Sequence, residues 1–337
     1  METQKLLFVF RKPNKGNFSI EKVYDVIFDQ LKNEIKNNFS ISKTVLKYNY
    51  DIKTFLFYFF TSFFSKKHIV HITGGCNYMV LAFPFKTKVL TIHDLYHFKS
   101  YKGLKGIMYD FFYYNLPLRF SDEIIVVSDN TRDEILKNFK IKKDKVKVLH
   151  NPIVIPFKKI QKRERNISKE TPLKILQIGS KSLKNYERLI FATKDMQVEY
   201  NFIHADKKQI ESLIERENIE NKSNVLSSIS DNELYKQYFE NDILFFASEA
   251  EGFGLPIIEA QVFDMPVITS NIPPMNTIGK GAILVDPFDV DSIKKGFLKL
   301  YNPSIVSELS KIANKNVVQY HPEQVSLEYL DFYKSIS

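Results

Sequence analysis

Two kinds of hydrophobic pattern alternate along the chain. Short runs of apolar, β-branched or aromatic residues recur, separated by longer stretches in which apolar positions return every three or four residues. The first half carries "KLLFVF" (5–10), "TVLKY" (44–48), "HIVHI" (68–72), "KVLTI" (88–92), "EIIVV" (123–127) and "KVKVL" (145–149). The second carries "LKILQI" (173–178), "EYNFIH" (199–204), "SNVLS" (223–227), "DILFFA" (242–247), "PVIT" (266–269) and "AILV" (282–285). Runs of this length suit strands buried on both faces, and stretches such as "FSIEKVYDVIFDQLKNEIKN" and "KKQIESLIERE" suit amphipathic helices. Strands alternating with helices predict parallel sheets covered on both sides. The expected fold class is α/β, each half forming one doubly wound Rossmann-like unit.

The join between the halves is visible too. "FKKIQKRERNISKETP" (157–172) is charged, lacks periodicity and ends in proline, which predicts a linker. The expected organisation is an N-terminal domain over 1–156, the linker, and a C-terminal domain over 173–320. A last helix over 321–337, opening on "HPEQ", is expected to pack back across the interface.

Composition narrows the class. The chain has 337 residues, of which 44% are hydrophobic and 14% aromatic, enough for two cores. Cys76 is the single cysteine, so no intramolecular disulfide can form, and a reducing, cytoplasmic setting is expected. The N-terminus reads as a first strand rather than a signal peptide. No window approaches the roughly 18 apolar residues of a membrane span.

Charge adds a direction. Residues 1–150 hold 25 basic and 14 acidic side chains, and the remainder 23 and 25. A basic first half suggests an anionic partner: nucleic acid, an anionic membrane surface or a phosphorylated acceptor. No nucleic-acid recognition motif accompanies the charge, so no nucleic-acid partner is expected. The aromatic segments "FLFYFFTSFFSKKH" (55–68) and "MYDFFYYNLPLRF" (108–120) suit either peripheral contact with the inner face of an anionic membrane or helices buried over the first sheet. Burial is the preferred reading.

Candidate chemistry is sought at the carboxyl ends of the strands, where open α/β sheets bind ligands. Gly16 follows the first strand, "TGGC" the third, and His93 and Asp94 the fourth. In the second half Gly179, Lys181 and Lys184 follow the first strand, and "EAEGFG" the fourth. In "EGFGLPIIEA" (251–260), Glu251 stands in a loop, and Gly252 and Gly254 permit a tight turn. Pro256 suits the first helical position. The amides of Phe253, Gly254 and Leu255 then lie at a helix N-terminus, an anion site. Glu259 is expected in the first helical turn. Two carboxylates bracketing such amides suit a nucleotide sugar, with its ribose diol, diphosphate and hexose hydroxyls. "DVD" (289–291) precedes an amphipathic stretch and reads as a helix cap rather than a metal pair. With no HExxH, paired CxxC or GK[ST] loop, no metal is expected.

"ASEAEGFGLPIIEAQVFDMPVITSN" resembles the E-x7-E segment of the family 4 retaining glycosyltransferases, which have the GT-B fold. "TIHDL", "DEIIVVSDNTRDEIL", "KVKVLHNP" and "ISDNELYKQYFENDI" follow in that family's order and spacing. The likeness covers most of the chain, strongly in the second half and loosely before residue 68. It implies two Rossmann-like domains facing each other across a cleft. By the same resemblance, Glu259 would bind the donor ribose, Glu251 the hydroxyls of the donor sugar, and Lys184 the diphosphate. His93 would approach the transferred sugar, and Gly16 would lie near the phosphates. The donor would be a UDP- or GDP-sugar, with no other cofactor. The acceptor would be a glycan or lipid-linked glycan of a bacterial surface polysaccharide, and transfer would retain anomeric configuration.

Four positions depart from the family pattern, one of them His204 in "IHAD", which ends the second strand of the C-terminal half where a glycine is common and is left without a role. Ser180 stands where an arginine is common, with Lys181 the next basic residue. The first-loop double glycine is reduced to "KGN". Asp264 replaces a turn glycine, a geometry aspartate tolerates. These departures keep open an alternative, a non-catalytic nucleotide-sugar-binding or assembly subunit.

Overall fold

The computed structural model describes residues 4–12, 19–34, 39–47, 51–66, 68–98, 100–179 and 181–337. Gly16 and Ser180 lie outside the described residues. The chain divides into two compact units, Met1–Val154 with His321–Ser337, and Ile155–Tyr320.

The sheet of unit one contains β1 (Gln4–Phe10), β2 (Phe39–Val45), β3 (Ile69–Ile72), β4 (Thr87–Ile92), β5 (Glu123–Val126) and β6 (Val146–Val148). Their order is β2-β1-β3-β4-β5-β6, all parallel. That of unit two contains β7 (Leu173–Ile178), β8 (Val198–Ile203), β9 (Ser223–Leu226), β10 (Ile243–Phe246), β11 (Val267–Ser270) and β12 (Ile283–Val285). Their order is β12-β11-β10-β7-β8-β9, again all parallel. The direction of strand addition reverses between β1 and β3 in the first sheet and between β7 and β10 in the second. Such switch points open a crevice beyond the strand ends, because the flanking connections leave to opposite faces.

Burial explains why these strands were legible. Every residue of β3, β10 and β11 is buried, so each reads as a predominantly apolar run, interrupted only by His71 in β3 and by Thr269 and Ser270 in β11. The edge strand β2 behaves differently. It runs over Phe39–Val45, not 44–48, because its exposed positions leave an alternating, half-polar sequence, FSISKTV, rather than an apolar run.

The stretch 157–172 is tied to unit two by two arginines. Arg163 donates to the carbonyls of Phe239 (2.6 Å) and Asn241 (3.0 Å) and to Asp242 Oδ1 (2.6 Å). Arg165 donates to the carbonyls of Tyr238 (2.8 Å) and Phe263 (2.7 Å). The carbonyls lie in the last turns and C-caps of the helices Asp231–Glu240 and Leu255–Val262, whose last carbonyls have no intrahelical partner, and Asp242 lies just beyond the first of them. Burial lowers the Arg165 pKa to about 10.

In unit one, helix Pro322–Ser335 packs on helix Ser19–Glu34 through a buried polar cluster. Tyr24 and Tyr329 share a hydroxyl contact of 3.2 Å, and His71 bridges Tyr333 Oη (2.5 Å) and Thr91 Oγ1 (2.8 Å).

The aromatic helix Ile52–Phe64 buries only part of its surface. Thr54 and Ser62 are buried, whereas Phe60 and Phe64 are 61% and 89% exposed. The preference for burial of this segment is corrected on that side of the helix.

Candidate functional site

The site of unit two is built from the loops after β7 and β10, the two strands that flank the switch point. After β7 the chain passes through Gly179 at φ +123°, a conformation that strains any L side chain. A Cβ there would lie 2.7 Å from Lys184 Cγ and Cε, so the lysine stem lies against bare backbone. A single 3₁₀ turn, Ser182–Lys184, follows. Lys181 opens that turn and is exposed.

Asn185 ends the turn in the left-handed region at φ +63°. Its amide donates to the carbonyls of Ala247 (3.0 Å) and Pro287 (2.6 Å), tying the β7 loop to the segments after β10 and β12. Arg188 bridges Asn185 Oδ1 (2.9 Å) and Glu249 Oε1 (2.7 Å), and the Glu249 amide donates to the Leu183 carbonyl (2.9 Å). The two loops are thereby fixed to one another.

This framework brings Lys184 to Glu251. The Lys184 ammonium donates to Glu251 Oε1, and the side chains are 20% and 15% exposed. The same ammonium lies 4.5 Å from the centre of the Phe246 ring, a cation–π contact at the end of β10.

Beyond Glu251 the chain turns through Gly252, Phe253 and Gly254 into helix Leu255–Val262. Gly254 is its N-cap at φ +109°. Phe253 is buried against Tyr320, the rings meeting edge-on at 5.8 Å. Two expectations shift slightly. Leu255 takes the first helical position and Pro256 the second, where its missing N–H is equally harmless. Glu259 consequently begins the second turn, and the first turn holds no acid.

Glu259 is buried at 6% exposure and accepts a hydrogen bond from Tyr238 Oη at 2.7 Å. Tyr238 is fully buried and stacks on Phe263 at 5.6 Å. Burial, reinforced by Glu259, holds the Tyr238 hydroxyl well above its ordinary pKa, so it stays a donor. Tyr238 was missed in the sequence, because its partner lies 21 residues on and only the fold joins them.

Two other positions that stand in place of a family glycine keep a left-handed backbone. Asp264 adopts φ +52° and His204 φ +59°, both left-handed. Asp289 caps helix Val290–Lys299 by accepting from the Asp291 amide at 2.9 Å. Among the described residues no cluster of three or more metal-ligating side chains occurs.

His93 belongs to unit one, just past β4. Its Nε2 lies 2.9 Å from the Thr73 carbonyl, which can only accept, so Nε2 carries the proton. Burial draws the His93 pKa below the ordinary imidazole value, favouring the neutral ring. The "TGGC" loop makes room for it. A Cβ on Gly74 would stand 2.6 Å from the His93 ring, and one on Gly75 would stand 2.5 Å from Arg11 Cδ. Arg11 in turn pairs with Glu21 at 2.6 Å, near the start of helix Ser19–Glu34. That pair was not singled out in the sequence. Its signals were a basic residue closing a strand and an acid in the next helix's first turn.

Two linked loops at the switch point of a doubly wound sheet, in a chain with two such sheets, form the arrangement that the resemblance to the family 4 glycosyltransferases implies. Comparison with known proteins agrees. The model "Glycosyl transferases group 1" matches residues 158–317, and "Glycosyltransferase Family 4" matches residues 42–155. The chain is 26% identical over 214 residues to an O-antigen chain mannosyltransferase of Salmonella typhimurium, covering 61% of this chain and 59% of the relative. It is 30% identical over 165 residues to an uncharacterised protein of the Klebsiella pneumoniae cps region, covering 45% of each. The matches thus span about half the length of these curated relatives.

Among solved structures, Anabaena HepE in complex with UDP and glucose superposes with a TM-score of 0.76 at 12% identity, covering 98% of this chain and 100% of that one. WaaG, a glycosyltransferase involved in lipopolysaccharide biosynthesis, superposes with a TM-score of 0.69 at 13% identity, covering 97% and 99%. At such identities the likeness shows the fold, which is GT-B. With both family models matched, the chain belongs to the family 4 glycosyltransferases.

Proposed function

We propose that the protein transfers a sugar from a nucleoside diphosphate sugar to a glycan or lipid-linked glycan, with retention at the anomeric carbon. The observation that carries this reading is the Lys184–Glu251 pair set beside the N-terminus of helix Leu255–Val262. The leaving diphosphate develops negative charge as the glycosidic bond breaks. Lys184 and the backbone amides of Gly254 and Leu255, at the positive end of the helix, offset that charge without a metal. Glu251 accepts from hydroxyls of the donor sugar, and Glu259, aligned by Tyr238, accepts from the ribose diol. Lys181 adds positive charge at the edge of the diphosphate site. The neutral His93 of unit one is assigned to the transferred sugar, and Gly16 to the first-loop phosphate contact. The departing phosphate oxygen takes the acceptor's proton, so no protein base is assigned. Water must be kept out, because hydrolysis competes with transfer.

Support for the donor class comes from the fold neighbour crystallised with UDP and glucose. The names of two curated relatives specify mannosyl transfer in O-antigen chains, which puts a mannosyl donor first and a bacterial surface polysaccharide acceptor with it. No described helix is long and apolar enough to cross a membrane. A peripheral protein working at the inner face of the cytoplasmic membrane is the proposed location.

The test is turnover of a panel of UDP- and GDP-sugars, read as nucleoside diphosphate release with and without glycan acceptors. Transfer from one donor, with α-configured donor giving α-configured product, supports the proposal. Tight binding of a nucleotide sugar without turnover on any acceptor would favour an assembly subunit instead.

A further inference from the structure

Unit one exposes an apolar surface that its own core does not need. On helix Ile52–Phe64, the residues Ile52, Leu56, Phe60, Phe63 and Phe64 recur at helical spacing on one exposed stripe. On helix Gly103–Asp110 and the π-helical turn that continues it, Leu104, Ile107, Met108, Phe111 and Phe112 form a second. Leu104 and Ile107 are 73% and 68% exposed. The two helices flank one cavity of about 690 Å³, lined by Ile52 and Phe55 from the first and Met108 and Phe112 from the second. Contiguous exposure on this scale marks an interaction surface, since isolated soluble proteins rarely leave such patches uncovered.

The charges around it have one dominant sign. Lys53 and Lys66 lie at the ends of the first helix, and no acid occurs from residue 52 to 66. Lys102 and Lys105 lie at the start of the second helix, where both are exposed. Asp51, at the mouth of the cavity, is occupied in capping, accepting from the Thr54 amide at 2.8 Å. Asp110 is the one acid between residues 100 and 112. Aromatic and aliphatic stripes edged by lysines complement a bilayer, whose anionic headgroups attract the cations while its acyl region takes the rings. A cavity of this size between the stripes suits flexible hydrocarbon.

We propose that these two helices seat unit one on an anionic membrane, the stripes entering the interface and the cavity taking a hydrocarbon chain of the lipid. This deepens the proposed lipid-linked acceptor by naming the surface that would meet it, and it rests on that reading only for its purpose. Membrane binding is measured without donor or acceptor, so its failure and the failure of glycosyl transfer are separate results.

The experiment is co-sedimentation of the full chain with vesicles of phosphatidylcholine alone and with one third phosphatidylglycerol, at low and high salt. The expected result is salt-sensitive binding to the anionic vesicles. Phe60→Ser with Phe64→Ser should weaken it about 100-fold, the two rings being nearly solvent-exposed and so dispensable for folding. Lys102→Gln with Lys105→Gln should weaken it about 25-fold on anionic vesicles only. Thermal melts of both variants check that the fold is kept. Absence of binding, or binding unchanged in the phenylalanine variant, would overturn the proposal. So would concentration-dependent self-association abolished by the same variant, which would assign the surface to a second copy of the chain.

Discussion

Lys184 and Glu251, 67 residues apart in the chain, form an ion pair between the loops that follow β7 and β10. Neither side chain has been fully removed from water, so the pair holds position without the heavy desolvation cost of a deeply buried one. On the proposed mechanism its value is preorganisation: an ammonium held where a diphosphate would leave, and a carboxylate held where sugar hydroxyls would bind.

A double-mutant cycle tests that relationship. Lys184→Ala and Glu251→Ala should each lower kcat/KM about 10²- to 10³-fold, the usual range for losing one preorganised charge-stabilising group. The double variant should lose less than the product of the two, because each single change already disturbs its partner. Steady-state kinetics with unchanged thermal melts would read this. Near-wild-type rates in both single variants would count against these roles.

Tyr238→Phe removes one hydroxyl and leaves the stacking on Phe263 in place. Glu259 would lose the hydrogen bond that aligns it. The expected outcome is a rise of about tenfold in the nucleotide dissociation constant, the scale of one hydrogen bond to a charged group. Isothermal titration with the nucleoside diphosphate measures it, and an unchanged constant would exclude Tyr238 as a positioning residue.

Much of this site was legible because its residues are local. Gly252, Gly254, Pro256 and Glu259 lie within one strand–turn–helix passage, where backbone rules act over a few residues. The strands were legible because central parallel strands are buried on both faces and so mostly apolar, with only isolated polar residues such as His71 and Thr91. What escaped the sequence was set by tertiary contact. Tyr238 meets Glu259, Asn185 ties the β7 loop to Ala247 and Pro287, and Arg11 pairs with Glu21, all through the fold. The edge strand β2 was misplaced because half-exposed positions carry no apolar run. The exposed side of helix Ile52–Phe64 was misread because composition alone does not separate a core-facing phenylalanine from one turned to solvent.

His71 makes a prediction about acid stability. It is fully buried among Tyr24, Tyr329, Tyr333 and Thr91, whose hydroxyls do not balance a full positive charge, and His93 nearby disfavours it further. Burial lowers its pKa to about 3. The unfolded chain, with an ordinary histidine, takes up a proton near pH 6.5 while the folded chain does not. Stability contributed by the neutral ring is therefore complete above about pH 6.5 and falls as pH drops toward 3, by about 1.4 kcal/mol per pH unit. Urea denaturation at pH 7 and pH 5 should show a smaller pH dependence in His71→Asn than in the wild type. Equal dependence in both would show that His71 does not carry the effect.

Chelation provides a separate check on the mechanism. If Lys184 and the helix N-terminus offset the charge of the leaving diphosphate, turnover should survive exhaustive treatment with EDTA. Loss of activity restored by added magnesium or manganese would contradict that assignment.

The most direct measurement is a crystal structure with the best-turned-over nucleotide sugar bound. The diphosphate should lie within hydrogen-bond distance of Lys184 and the Gly254 and Leu255 amides, the ribose diol on Glu259 and the hexose on Glu251. A donor bound in unit two away from residues 251–259, or bound only in unit one, would contradict the account.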